Sequence, residues 1–181
     1  MNILGISGSL RRNSYNSLLL QNVITILPEG VRLTTLTIDT ITNYNEDMEL
    51  DKPDAITQFI SAIEDADALL FATPEYNHSI PGVLKNALDW ASRPAFVSPL
   101  ANKPCGILSA SQNNVGGGRA QTELKKILTS TLSPVYPSVE YLLDNAQKKF
   151  DEEGRLIDEA ALRRLSRYVT GFVDWSRKQT S

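Results

Sequence analysis

Two arginines, two serines and two asparagines crowd into nine residues, Gly8-Ser9-Leu10-Arg11-Arg12-Asn13-Ser14-Tyr15-Asn16. The stretch lies between an apolar run and a helical pattern. A loop that enters a helix presents unpaired N–H groups and the positive end of the helix dipole, which together attract an anion. Ser9, Ser14 and Asn16 can add side-chain hydrogen bonds. Arg11 or Arg12 can neutralise a phosphate with a planar fork of donors. The loop lacks the Gly-Lys-Ser/Thr of a nucleotide-hydrolysing P-loop and the third glycine of a dinucleotide fingerprint, so both functions are disfavoured. A serine-capped helix start with a solvated arginine pair accounts for the same residues, and this loop alone does not decide.

A second loop is denser. Pro74-Glu75-Tyr76-Asn77-His78-Ser79-Ile80 follows the apolar run ALLFAT, and Pro74 cannot donate to a strand ladder. Backbone amides here could meet the edge of a planar heteroaromatic ligand while Tyr76 flanks its face. Glu75 is open to three readings: a catalytic carboxylate, a local salt bridge or a packing partner. No second carboxylate or histidine pairs with it in the sequence, so proton transfer is the weakest of the three. A third loop, Ser111-Gln112-Asn113-Asn114-Val115-Gly116-Gly117-Gly118-Arg119, opens another helix. Three glycines let a backbone approach a ligand without Cβ interference, and their N–H groups could stabilise negative charge. A merely flexible loop has the same composition.

The elements that must position these loops alternate. Strands are predicted at 2–7, 31–38, 68–73, 103–109 and 133–139, the last weakened by Pro134 and Pro137. Apolar residues at helical spacing predict helices over 14–27, 53–65 and 81–92. A fourth helix is marked by Ala120, Leu124, Ile127 and Leu128, and a last one by Leu162, Leu165, Val169 and Phe172, with Asp158 as N-cap. Residues 40–52 read as a polar, acidic loop and 150–157 as hairpin-like. Strict alternation with apolar strands argues an α/β fold: a parallel sheet with helices on both faces. Such sheets bind ligands beyond the carboxyl ends of their strands. All three loops follow strands, so all three are expected on one edge.

Bulk properties narrow the function. A length of 181 residues favours one domain spanning 1–181. A net charge of -3 argues against nucleic acid as a partner. One cysteine, Cys105, and one histidine, His78, cannot build a multi-ligand zinc site, and no metal is expected. Cys105 reads as a small core residue. His78 reads as a surface residue. No apolar stretch is long enough to cross a membrane, and no basic leader precedes one, so a cytoplasmic protein with no membrane partner is expected.

Taken together, the residues resemble the NAD(P)H-dependent FMN reductase family, the flavodoxin-like group that includes chromate, quinone and azo-compound reductases. The resemblance runs from residue 3 to about residue 172. It rests on Gly8-Ser9-Leu10-Arg11 with Ser14 and Asn16. It also rests on Pro74-Glu75-Tyr76-Asn77 with Ser79-Ile80-Pro81-Gly82 and Leu84-Lys85-Asn86-Ala87-Leu88-Asp89-Trp90, and on Gly116-Gly117 with Arg119. It implies a flavodoxin-like, five-stranded parallel sheet. It implies that Ser9, Arg11, Ser14, Tyr15 and Asn16 hold the FMN phosphate and that Pro74, Glu75, Tyr76 and Asn77 line the isoalloxazine. Ser111 and the turn through Gly116 and Gly117 would meet the pyrimidine edge. NADPH or NADH would give a hydride to flavin N5, and a small-molecule acceptor would then take the electrons on the same face. No side chain would act as nucleophile. The family's third loop usually reads Ser-x-Gly-x-x-Gly-Gly, and here Asn113 stands at the first glycine, where its tolerance of left-handed backbone is expected to keep the turn. The resemblance further implies a homodimer or homotetramer, with Arg119 and Glu140 as candidates for pairing between subunits. A flavodoxin-type electron carrier is the competing reading. The arginine in the first loop and the small net charge weigh against it.

Overall fold

The computed structural model describes residues 1–179. Five strands alternate with five helices: β1 (Asn2–Ser7), α1 (Tyr15–Ile24), β2 (Arg32–Leu36), α2 (Asp54–Asp65), β3 (Ala68–Ala72), α3 (Gly82–Ala91), β4 (Cys105–Ala110), α4 (Gly118–Ser130), β5 (Tyr141–Leu143) and α5 (Glu159–Gln179). All pairings are parallel, in the order β2-β1-β3-β4-β5. This is the flavodoxin-like α/β sheet that the alternation and the resemblance predicted. The switch in strand order falls between β1 and β3, so the loops after these two strands face each other across a crevice.

The period of two along each strand sorts the core into two layers. Ile3, Leu70, Ala72, Leu108 and Ala110 face α1 and α5, meeting Leu19, Val23, Leu165 and Phe172. Leu4, Ile6, Leu69, Phe71 and Ile107 face α2, α3 and α4, meeting Phe59, Leu84, Leu88 and Leu124. The central strands are buried on both sides, which explains why they read as continuous apolar runs. Burial also pushes the Cys105 thiol up to about 12, so it is a packing residue and not a nucleophile.

The fifth strand departs from the prediction. The stretch 133–139 does approach β4, with a single parallel bridge between Val135 and Cys105. The Tyr136 N–H donates to the Cys105 carbonyl at 2.8 Å, and the Cys105 N–H donates to the Pro134 carbonyl at 2.8 Å. Pro137 then has no N–H to continue the ladder, and the chain leaves the sheet until Tyr141 pairs with Leu108. The two ends of the chain's last third follow the sequence more closely. Phe150 and Leu156 form an antiparallel bridge, and Asp158 Oδ1 accepts from the Ala161 N–H at 2.7 Å, capping α5.

Candidate functional site

The three loops do meet. A cleft of about 240 Å³ is lined by Ser9, Arg11, Ser14, Tyr15 and Asn16 from the first, Pro74, Glu75 and Tyr76 from the second, and Ala110, Ser111 and Gln112 from the third. Nine of the twelve expected residues are therefore brought together. Asn77, Gly116 and Gly117 stand outside its lining. Ala110 and Gln112 belong to it and were not singled out in the sequence. Their only signal was position, at the carboxyl end of β4 on either side of Ser111.

The first loop is built as an anion cradle. Ser14 is the N-cap of α1, its Oγ accepting from the N–H groups of Asn16 and Ser17, which leaves the hydroxyl proton to donate elsewhere. The Arg11 guanidinium lies over the Tyr15 ring at 5.0 Å and donates to the Asn13 carbonyl at 2.6 Å. Among the described residues Arg11 has no carboxylate partner, so a cation stands uncompensated at a helix N-terminus. Tyr15 is held from behind by stacking on Phe150, with ring centroids 5.8 Å apart.

Asn16 has a different task from the one its type suggested. It is buried, its Nδ2 donates to the Ala110 carbonyl at 3.0 Å, and its Oδ1 accepts from the Ala110 N–H at 2.9 Å. Both Ala110 groups point toward β3, but β3 ends at Ala72 and Pro74 carries the chain out of the sheet. The carboxamide of Asn16 takes the place of the missing strand residue and ties loop one to loop three.

In the second loop, Tyr76 and Ser79 exchange backbone hydrogen bonds at 2.9 and 3.0 Å around Asn77 and His78. Both of those residues have positive φ, 50° and 66°. This is a tight two-residue turn of the mirror-image type, where Asn is a favoured occupant. Asn77 thus sits at an exposed turn tip, and Tyr76 is 53% exposed beside the cleft. Glu75 resolves to the salt-bridge reading. Its carboxylate accepts from the Arg119 guanidinium at 2.7 Å and from the Arg119 backbone N–H at 3.0 Å. Burial pushes this carboxyl up, but the Arg119 contacts and a bond from the Ala120 N–H outweigh it and hold the group below its ordinary value. Glu75 is therefore an ionised cap on α4, a poor proton donor at neutral pH. The expected subunit-pairing candidates have partners inside the chain: Arg119 bonds Glu75, and Glu140 bonds Lys125 at 2.6 Å.

The third loop uses its glycines inwardly. Gly116 and Gly117 have φ of 67° and 89°. A Cβ at Gly116 would come within 2.9 Å of Leu142 Cβ, and one at Gly117 within 2.9 Å of Ser109 Cβ. The close approach is to β5 and β4, not to the cleft. Asn113 is not left-handed. Its Oδ1 instead accepts from the N–H groups of Val115 and Gly116 at 2.9 and 3.2 Å, an Asx turn that replaces backbone freedom with a side-chain brace.

The donor set fits FMN. Hydroxyls, a guanidinium with no carboxylate partner among the described residues and a helix N-terminus gather at the loop-one end, as a phosphate requires. Backbone from two loops and an exposed tyrosine flank the rest of the cleft, as a flat ring requires.

Comparison with known proteins agrees. Residues 1–148 match the family model described as NADPH-dependent FMN reductase. An NAD(P)H-dependent FMN reductase of Pseudomonas aeruginosa is 45% identical over 179 residues, covering 97% of this chain and 95% of its own. A 2-hydroxy-1,4-benzoquinone reductase of a Burkholderia species is 33% identical over 172 residues, with 95% and 94% covered. The solved structure of FerB, a flavoenzyme NAD(P)H:(acceptor) oxidoreductase of Paracoccus denitrificans, superposes with a TM-score of 0.91 at 31% identity, covering 98% of both chains. A cleft with the donors FMN needs, on the predicted sheet and at the predicted edge, agrees with these matches along nearly the whole chain: the protein belongs to the NADPH-dependent FMN reductase family.

Proposed function

We propose that this enzyme uses FMN to move electrons from NAD(P)H to small acceptors, with quinones the leading class and free flavins, azo compounds and metal oxyanions also suited. When bound, FMN supplies the redox chemistry, taking a hydride from the nicotinamide at N5 and passing two electrons on. The balance is NAD(P)H, a proton and a quinone giving NAD(P)+ and a hydroquinone. The observation that carries the reading is the meeting of three strand-end loops around an uncompensated Arg11 at the N-terminus of α1.

The chain's own residues bind and orient. Ser9, Arg11, Ser14 and Tyr15 hold the phosphate, with Asn16 bracing the loop that carries them. Pro74, Glu75 and Tyr76 present backbone to the ring, with Asn77 at the tip of their turn, and Ser111 bounds its pyrimidine edge, with Gly116 and Gly117 turning the loop beside it. No side chain moves a proton in this reading, consistent with an ionised, fully engaged Glu75. Donor and acceptor use one open face in turn, so the kinetics are ping-pong. We place the protein in the cytoplasm, as a single unit over 1–181 that assembles as a homodimer or homotetramer.

The test is direct. The purified protein is loaded with FMN without oxygen, NADPH and then NADH is added, and flavin absorbance is followed. Rapid bleaching is expected, and it ranks the two coenzymes. Bound flavin that stays oxidised with both overturns the reading in favour of an electron carrier reduced by a protein partner. Initial rates against both substrates should give parallel double-reciprocal lines. Intersecting lines would refute the shared face.

A further inference from the structure

Behind the third loop lies a buried polar relay that the cleft residues do not explain. Gln121, on the first turn of α4, is 1% exposed. Its Nε2 donates to the Tyr141 carbonyl at 2.9 Å and to Ser109 Oγ at 2.8 Å. The Tyr141 carbonyl can only accept, so the amide nitrogen must face it, and the orientation of the carboxamide is fixed. Both N–H bonds of Gln121 are then spent, and its buried Oε1 has no partner. Ser109 Oγ receives one of them, so its own proton has a single outlet. It donates to the Gly116 carbonyl at 2.6 Å.

That last bond sets a peptide plane. In a trans peptide the carbonyl and the following N–H point in opposite directions. With the Gly116 carbonyl drawn inward to Ser109, the Gly117 N–H is turned away from β4. The neighbouring donors of Val115 and Gly116 are engaged by Asn113 Oδ1, and that of Arg119 by the Glu75 carboxylate. Among the described residues, the N–H groups of Gly117 and Gly118 meet no protein acceptor, and Gly117 is a buried residue. Buried backbone donors are almost always paired. A Gly-Gly peptide, with no Cβ on either side, is also the one most free to flip.

We propose that Ser109 and Gln121 are positioning residues that lock the Gly116–Gly117 peptide, so that the Gly117 N–H is held ready for the negative charge that reduction brings to the pyrimidine edge of the flavin. The inference rests on the FMN reading above. A fixed donor stabilises developing charge without reorganising, whereas a flipped peptide would present a carbonyl and repel it. Keeping one carboxamide oxygen buried and unpaired is the cost of aiming this peptide.

The variants S109A and Q121M each break the relay while preserving size. FMN affinity is measured in the oxidised and the reduced state, together with the midpoint potential. Each variant should bind oxidised FMN within about threefold of wild type. Affinity for the reduced form should fall about tenfold more, which lowers a two-electron potential by about 30 mV. The double variant should match the single ones, because the relay acts as a unit. Equal losses in both redox states, or additive effects, would reduce the pair to ordinary packing. If either variant fails to fold, wild-type amide exchange decides: FMN should slow exchange at Gly117 and not at Gly116, and an unchanged Gly117 overturns the proposal. Wild-type protein that takes up no FMN would refute the functional reading instead, a distinct result.

Discussion

The Glu75 carboxylate closes on both the guanidinium and the backbone N–H of Arg119, 44 residues away, at 2.7 and 3.0 Å. One side chain thereby fastens the loop after β3 to the N-terminus of α4. The site's second and third loops are joined by this contact, as its first and third are joined by Asn16. The cleft is a set of loops cross-braced by side chains, and the braces are as informative as the lining.

The Glu75 brace has a pH signature. Its folded carboxyl lies below its ordinary value of 4.5, so the charge stabilises the fold fully above that pH. The contribution is lost as pH falls through 4.5 to the lower folded value. E75Q keeps the shape and removes the charge. We expect it to cost about 1–3 kcal/mol at pH 7, the worth of a charge-assisted bond made partly out of water. Thermal melts of both proteins between pH 7 and pH 3 should show a constant gap above about pH 5 that narrows below 4.5. A gap that stays constant down to pH 3 would detach the loss from the titration of Glu75, and no gap at pH 7 would mean that Glu75 acts by shape alone.

Arg11 carries the phosphate assignment. R11A should raise the Kd for FMN by about 10- to 150-fold, the equivalent of about 1.5–3 kcal/mol for a charge-assisted hydrogen bond. R11K should fall between, since it keeps the charge and loses the planar fork and the stacking over Tyr15. A fluorescence titration of FMN reads both. An R11A protein that binds as tightly as wild type removes Arg11 from the site.

The sheet and the gathering of its loops were legible because strands buried on both faces must read as apolar runs, and alternation with helices leaves them only a parallel arrangement. The fifth strand was misread because Pro134 and Pro137 flank a segment that pairs at one residue and then must leave. Propensity places the strand there, but the ladder cannot pass a residue without an N–H. Loop three was legible in its glycines but not in their direction. Nothing in a Gly-Gly pair says whether the missing Cβ makes room for a ligand or for Leu142 and Ser109. Asn113 shows the same limit. Its type allowed a left-handed backbone, and the structure uses its side chain instead. Long-range partners such as Glu75 with Arg119 leave no local pattern at all.

Asn16 offers the sharpest separation between holding the cofactor and holding the loops that receive it. Its carboxamide makes two hydrogen bonds to Ala110 in a buried setting. N16A strips both and leaves the Ala110 N–H and carbonyl without partners where no strand continues. The expected loss is about 2–4 kcal/mol in the FMN-free protein, since each abandoned buried group costs its own desolvation. N16D should also destabilise, because a carboxylate oxygen would then confront the Ala110 carbonyl. Urea unfolding without flavin measures this independently of binding. An N16A protein as stable as wild type, yet weaker for FMN, would return Asn16 to the phosphate. Instability without flavin would instead make Asn16 the strut on which the phosphate loop stands.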